Sequence, residues 1–438
     1  MLWACTAATA PAARSGEPGG YEFAPGNSVS YTVTLRQESG SLVFDWPQHE
    51  VGQWDTALLQ LTVDANGDPG PAIVVTVGAH QSRHYLGAGA HGPQWLNLSA
   101  LRAVLRPGEH VRLGVPASLA RAQSAELRLF DNRIDFGRSV LVIAPHPDDA
   151  EIAAFGLYAD RRSTVITITA GNAGDANYAD VEPDQARQYE LKGQLRAYDS
   201  VTVPWLGGVP PQRTANLGYF DAQLAAMYRA PAQVVHETYG SNTDVARYRI
   251  YNLSGFVSHA ARGNTWQHLV EDLTAVLRQV RPDIIVMPDP RLDSHTDHEF
   301  TAVAVVQALE RWGGSPQFLL YTNHADENLY PYGPRGAPVS LPPPQRPVEL
   351  QKVYSLATPP AVQTRKLFAL EAMHDLRLSP TEQSHCEADP ARWRPDYPRR
   401  ADVDYFRRAP RANELFLAYD SPGVRAVIRQ FLAGYHDQ

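Results

Sequence analysis

The chain has 438 residues, enough for two domains, and at 44% hydrophobic and 20% charged it can bury full cores. Its net charge of −8, without a basic stripe, gives no support for binding nucleic acid. Cys5 and Cys386 are far apart, which speaks against a structural disulfide or a thiolate zinc site, and no apolar run is long enough for a transmembrane helix.

Residues 1–20 read as a flexible segment. Met1 to Ala13 carries no charged side chain before Arg14 and looks like the tail of a secretory signal, with Leu2-Trp-Ala-Cys5 loosely like a lipoprotein cleavage box. The expectation is an exported chain (periplasmic, envelope-anchored or secreted), with a cytoplasmic protein bearing a disordered tail as the alternative.

Residues 21–137 show apolar alternation with period two, cut by turns. Val29, Tyr31, Val33 and Leu35 alternate, as do Leu59, Leu61 and Val63 ahead of a turn at 64–70, and Val111, Leu113 and Val115. Such strands predict an all-β sandwich or jelly roll, with one helical interruption over 98–105. Trp46, Trp54 and Trp95 read as core or inter-domain residues before sugar-stacking ones. His80, His84 and His91 read as solvated loop histidines.

Residues 138–438 predict an α/β domain with a mostly parallel, Rossmann-like sheet. Val140 to Ala144 is a continuous apolar run, suited to a strand buried on both faces. Pro145 and Pro147 end it, and a helix begins near Ala150. His146, Asp148 and Asp149 fall in that strand-to-helix turn, where open α/β sheets place their sites. Two carboxylates and an imidazole so close together call for a cation among them. A second apolar strand over 281–290 is followed by Asp293-Ser-His-Thr-Asp-His298, with His295, Asp297 and His298 ahead of another helical run. Two histidines and one carboxylate drawn from the two motifs make a three-ligand zinc site with a position left for water.

Further strands are predicted over 163–169, 201–206, 317–322 and 413–419, and helices over 185–197 and 266–280. Arg187 and Glu190 stand at i, i+3 on the first of these helices, in a spacing that also suits a surface ion pair. Residues 207–264 form a long irregular stretch suited to shaping a cleft, with His236, Glu237 and Tyr239 inside it. Asn323 and His324 end a strand, beside the core or the pocket.

His146-Pro-Asp-Asp-Ala-Glu151 and His295-Thr-Asp-His298, each behind a strand, resemble the two motifs of the PIG-L/LmbE family of zinc-dependent N-acetylglucosaminide deacetylases. The family's usual Gly-Gly pair is replaced by Ile152-Ala-Ala-Phe-Gly156. The resemblance implies one zinc ion per chain held by His146, Asp149 and His298. It implies Asp148 as general base and a protonated His295 beside the reacting carbonyl, with Asp297 raising the pKa of His295 or orienting it. Arg187, His324 and His374 are the implied substrate contacts. The implied activity is removal of an N-acetyl group from an amino sugar in a glycan or glycoconjugate. The alternatives are a zinc hydrolase of another amide or ester, and a glycan-binding protein without activity. Oligomeric state is not readable.

Overall fold

The computed structural model describes residues 20–48, 53–65, 71–115, 123–132, 134–174, 178–326, 329–376 and 405–436. Residues 1–19 of the segment expected to be flexible, both cysteines and the charged stretch 381–404 lie outside them. Among the described residues no helix is long and apolar enough to cross a membrane.

The short strand β1 (Tyr21–Phe23) joins neither sheet of the first region. It pairs in parallel with β16 (Val348–Leu350), far along the chain. Assigning residues 21–137 to one unit therefore misplaces β1. The rest of the first region forms two antiparallel sheets. One has the order β2 (Val29–Thr34), β10 (Ser124–Phe130), β5 (Thr56–Asp64) and β8 (His91–Asn97). The other has the order β3 (Arg36–Glu38), β4 (Ser41–Asp45), β9 (His110–Gly114), β6 (Ala72–Val77) and β7 (His80–Tyr85).

Alternation explains how these sheets meet. Leu59, Leu61 and Val63 of β5 join Ile73, Val75 and Val77 of β6 and Leu127 of β10 in one buried cluster. Leu58, next to Leu59 in the strand, points the other way and joins the core of the second region with Trp95 and Phe130. Each such side chain contributes about 1.5–3 kcal/mol when fully buried. Trp46 is buried and stacks on half-buried Trp54, and Trp95 meets Phe23, so all three tryptophans pack inside. His84 is buried on β7 and is not the solvated loop histidine that its neighbours suggested. The helical interruption shrinks to one turn, Ser99–Leu101.

The second region holds a seven-stranded sheet. Its order is β13 (Thr214–Tyr219), β12 (Ser163–Thr169), β11 (Val140–Ala144), β14 (Ile284–Pro288), β15 (Gln317–Tyr321), β18 (Asn413–Tyr419) and β17 (Lys352–Ala357). The first five are parallel and the last two antiparallel. From β11 the chain runs outward through β12 and β13, then returns to β14 on the other side. The β11–β14 junction is thus the switch point where a crevice opens at the strand ends. The helices are α1 (Asp149–Tyr158), α2 (Gln185–Thr202), α3 (Leu224–Arg229), α4 (Trp266–Val280), α5 (Thr296–Trp312), α6 (Pro360–Ala372) and the C-terminal α7 (Ser421–His436).

One expected strand is wrong. Residues 201–206 finish α2 and continue as a 3-10 turn over Val203–Gly207. The true edge strand, β13, lies inside the stretch read as irregular. Its sequence Thr-Ala-Asn-Leu-Gly-Tyr has little apolar signal, yet all six residues are buried.

Candidate metal centre and catalytic site

Both motifs sit where the sheet puts them. The all-buried strand β11 delivers His146 one residue beyond its Pro145 end, and Asp148 and Asp149 open α1. Pro145 is fixed by its carbonyl, which accepts the N–H of Thr169 (2.9 Å) and the Thr169 hydroxyl (2.9 Å) from β12. From β14 the chain turns through Asp293 to His295, which caps α5 and places His298 on its first turn.

Three donor atoms converge. His146 Nδ1 lies 3.2 Å from His298 Nε2 and 3.3 Å from Asp149 Oδ2, and His298 Nε2 lies 3.1 Å from Asp149 Oδ2. Ligands held at about 2.0–2.1 Å around a tetrahedral zinc stand about 3.3–3.4 Å apart. The triangle therefore has the size of one face of such a site, and the donor set of two imidazoles and one carboxylate suits the ion.

Each donor is held from behind. The other nitrogen of His146 lies 3.1 Å from Asp221 Oδ1, and the other nitrogen of His298 lies 2.9 Å from Asp293 Oδ2. Carboxylates in these places fix which nitrogen faces the ion and make it a better donor. Asp149 Oδ1 accepts from Asn323 Nδ2 at 2.7 Å, and Asp293 Oδ2 accepts the N–H groups of Asn323 (2.9 Å) and His324 (3.2 Å). Asp221 precedes Ala222, whose φ of +64° is costly for a residue with a Cβ, and whose N–H donates to Asp297 Oδ2 at 2.7 Å.

The charge balance also asks for a cation. Asp148, Asp149, Asp221, Asp293 and Asp297 are all buried here. Burial disfavours charge on His298, but Asp149 and Asp293 outweigh it and push its pKa up to about 10. Burial is outweighed in the same way at His146, chiefly by Asp221, and its pKa stands well above the ordinary value. The imidazoles thus take up protons to offset the carboxylates, the role a bound metal would fill while displacing them.

The other candidates fall into two groups. Asp148 lies beside the triangle with its Oδ2 3.2 Å from Arg196 Nη2. His295 has its ring 4.6 Å from that of His146, and its Nδ1 accepts the Asp297 N–H at 3.2 Å. Burial, followed by the nearby His146, His298 and His324, pulls the pKa of His295 down to about 3. An accepting Nδ1 and a lowered pKa both favour the neutral imidazole, where the resemblance implies a protonated one. The Asp297 carboxylate holds the N–H groups of Ala222 and Leu224 and approaches His146 at 3.4 Å, while its own backbone N–H holds the His295 ring. His324 stands at the centre, with its ring 4.7 Å from that of His298.

Arg187 is exposed in the first turn of α2, and Glu190 pairs with Arg247 at 2.7 Å instead. His374 is half exposed and bonds Asp199 through Nδ1 at 2.8 Å. Its neighbour Asp375 bonds Arg196 Nη1 at 2.8 Å. Arg196, Asp221, Asp293 and Asp375 were not singled out from the sequence. Gly171 could have hinted at Arg196: its φ is +66°, and a Cβ there would lie 2.4 Å from Arg196 Nε. Glu237 accepts from Tyr248 Oη at 3.1 Å, Tyr239 stacks on Tyr189 at 3.8 Å, and His236 is exposed.

At its switch point the parallel sheet gathers buried histidines and aspartates that could hold a metal ion. Residues 141–309 match the family model PIG-L: GlcNAc-PI de-N-acetylase, a span that contains both motifs. That match supports an enzyme of the deacetylase kind with an N-acetylated sugar as substrate class. Comparison with curated protein sequences gives no match. Among solved structures, the chain is similar at 13% identity to GalB, the 4-carboxy-2-hydroxymuconate hydratase from Pseudomonas putida KT2440, over 54% of this chain and 79% of that one, with a TM-score of 0.33. It is similar at 10% identity to a family two carbohydrate esterase from Cellvibrio japonicus, over 68% and 90% of the two chains, with a TM-score of 0.15. Scores this low carry no argument.

Proposed function

We propose that this chain is a zinc-dependent hydrolase that removes the N-acetyl group from an amino sugar of a glycan or glycoconjugate. The observation that carries the reading is the triangle of His146 Nδ1, Asp149 Oδ2 and His298 Nε2, with edges of 3.1–3.3 Å and Asp148 beside it.

These three residues would hold the ion, which supplies Lewis acidity toward water and the amide carbonyl when bound. Asp148 takes the proton of the attacking water. Arg196 engages its Oδ2 and fixes the carboxylate. With its Nδ1 accepting from the Asp297 backbone, His295 carries its proton on Nε2 and donates that N–H to the developing oxyanion. A neutral His295 has no proton to spare for the leaving amine, so Asp148 returns the one it took. We also propose export, from the Ala-rich start of the chain, and an accessory β-sandwich over most of the first region.

Acetate release from N-acetylglucosamine oligosaccharides, with and without chelator and restored zinc, tests the reading. Release that stops with chelator and returns with zinc supports it. No release from any N-acetylated sugar by zinc-loaded protein would sink it.

A further inference from the structure

A second, partly open pocket lies beside Asn323. Ile152, Tyr321, Asn323, Lys366, Tyr405 and Arg411 are among its walls, and it offers about 50 Å³ to the centre of a water-sized sphere. One water needs about 10–15 Å³ of such space, so the cavity takes about four non-hydrogen atoms.

Its two cationic side chains are not in the same situation. Lys366 Nζ lies 3.0 Å from Glu414 Oε1, and the Glu414 carboxylate also accepts the N–H groups of Gly156 (2.7 Å) and Leu157 (2.8 Å). That pair is balanced. Arg411 is 2% exposed and, among the described residues, donates to backbone carbonyls alone: Tyr332 at 2.8 Å, Pro334 at 2.9 Å, and Pro331. Its Nε is buried and has no partner among the described residues. Arg408 bonds the same loop, at Leu329 and Pro331, which adds like charge nearby. A buried guanidinium bonded only to neutral groups is left electrically uncompensated. Burial, and then Arg408, pull the pKa of Arg411 down to about 9.

We propose that this cavity is a binding site for a small carboxylate of two or three carbons, held by Arg411. The size admits about four heavy atoms, and a carboxylate is the partner that a guanidinium N–H accepts best. The cavity borders Asn323, whose side chain holds Asp149, and Tyr405, whose hydroxyl donates to the Asn323 carbonyl at 2.5 Å. An occupant therefore sits one residue away from a metal-holding carboxylate. On the deacetylase reading, on which this clause rests, the released acetate is such an anion.

The test is calorimetric titration of acetate into the full chain stripped of metal by chelator, so that binding to an ion cannot contribute. Saturable binding is expected for acetate and propionate, with butyrate excluded by size and chloride weaker. Arg411→Gln should weaken acetate by about tenfold or more. Ala409→Leu fills the cavity from an uncharged wall and should abolish binding in a chain that still melts cooperatively; it decides the matter where Arg411→Gln does not fold. Absence of saturable acetate binding, binding that survives Ala409→Leu, or chloride binding as well as acetate would overturn the proposal. Acetate binding in the stripped chain, together with a zinc-loaded protein that releases no acetate from any substrate, would leave this site standing and remove the deacetylase reading.

Discussion

The two regions bury their polar groups for opposite purposes. In the first, buried Thr56, Asn97 and Asn132 all face the second. The Ser355 N–H donates to Thr56 Oγ1 at 2.9 Å, Asn97 Nδ2 donates to the Val339 carbonyl at 2.7 Å, and Asn132 Nδ2 donates to the Val353 carbonyl at 2.9 Å. Ser355 and Val353 belong to β17, the outermost strand of the seven-stranded sheet. The first region thus satisfies backbone groups that a bare edge strand would leave open to other chains. In the second region the buried carboxylates of Asp148, Asp149, Asp221, Asp293 and Asp297 converge at the β11–β14 switch point. Polar burial in one region closes a sheet edge, and in the other it builds a site.

Breaking each half of the comparison should give different readouts. The largest effect is expected at the site. Asp148→Asn should lower acetate release by about 10²–10⁴-fold while bound metal, measured by atomic emission, stays unchanged. Loss of metal in that variant would show that Asp148 is a ligand. Asp293→Asn removes the carboxylate charge behind His298 and should weaken zinc affinity by about 10–100-fold, read by competition with a chelating dye. At the interface, Asn97→Ala removes the donor to the Val339 carbonyl and to Ser355 Oγ and should cost about 1–3 kcal/mol in urea unfolding with zinc affinity unchanged. A simultaneous fall in zinc affinity would contradict the separation of roles.

The smallest effect is a pH dependence within the first region. His84 is buried, its Nε2 has no partner among the described residues, and burial pulls its pKa down from 6.5 to about 4. Its neutral form is the folded one, so the unfolded chain gains the proton first as pH falls. Stability should therefore drop by roughly 1 kcal/mol per pH unit between about 6.5 and 4 and be flat above. Melting of His84→Gln should lack that component, and an unchanged pH profile would refute it.

How far the sequence could be read follows from the range of the contacts. His146 and Asp149 were legible because they follow a buried strand within a few residues, and His298 because it opens the helix after the next such strand, for strand-to-helix turns gather polar groups. Asp293 lay in the quoted motif but was passed over, because its partner nitrogen on His298 becomes visible only once α5 begins. Asp221 was hidden for another reason. It follows β13, whose Thr, Asn and Gly residues are buried against other elements and give no periodic apolar signal. Residues 201–206 misled in the reverse sense, since Val and Thr there are β-formers that end a helix. Arg196 reaches Asp148 across 48 residues and Asp375 across 179, distances no local pattern encodes. The substrate contacts at Arg187 and His374 are implied by the resemblance alone; in the structure Arg187 is exposed on α2 and His374 bonds Asp199.

The central claim is that His146, Asp149 and His298 hold one metal ion, and zinc stoichiometry tests it most directly. Dialysed wild-type protein should carry one equivalent of zinc, and Asp149→Ala and His298→Ala should carry almost none while remaining folded by circular dichroism. Wild-type protein that takes up no zinc, or variants that keep their full equivalent, would contradict the account.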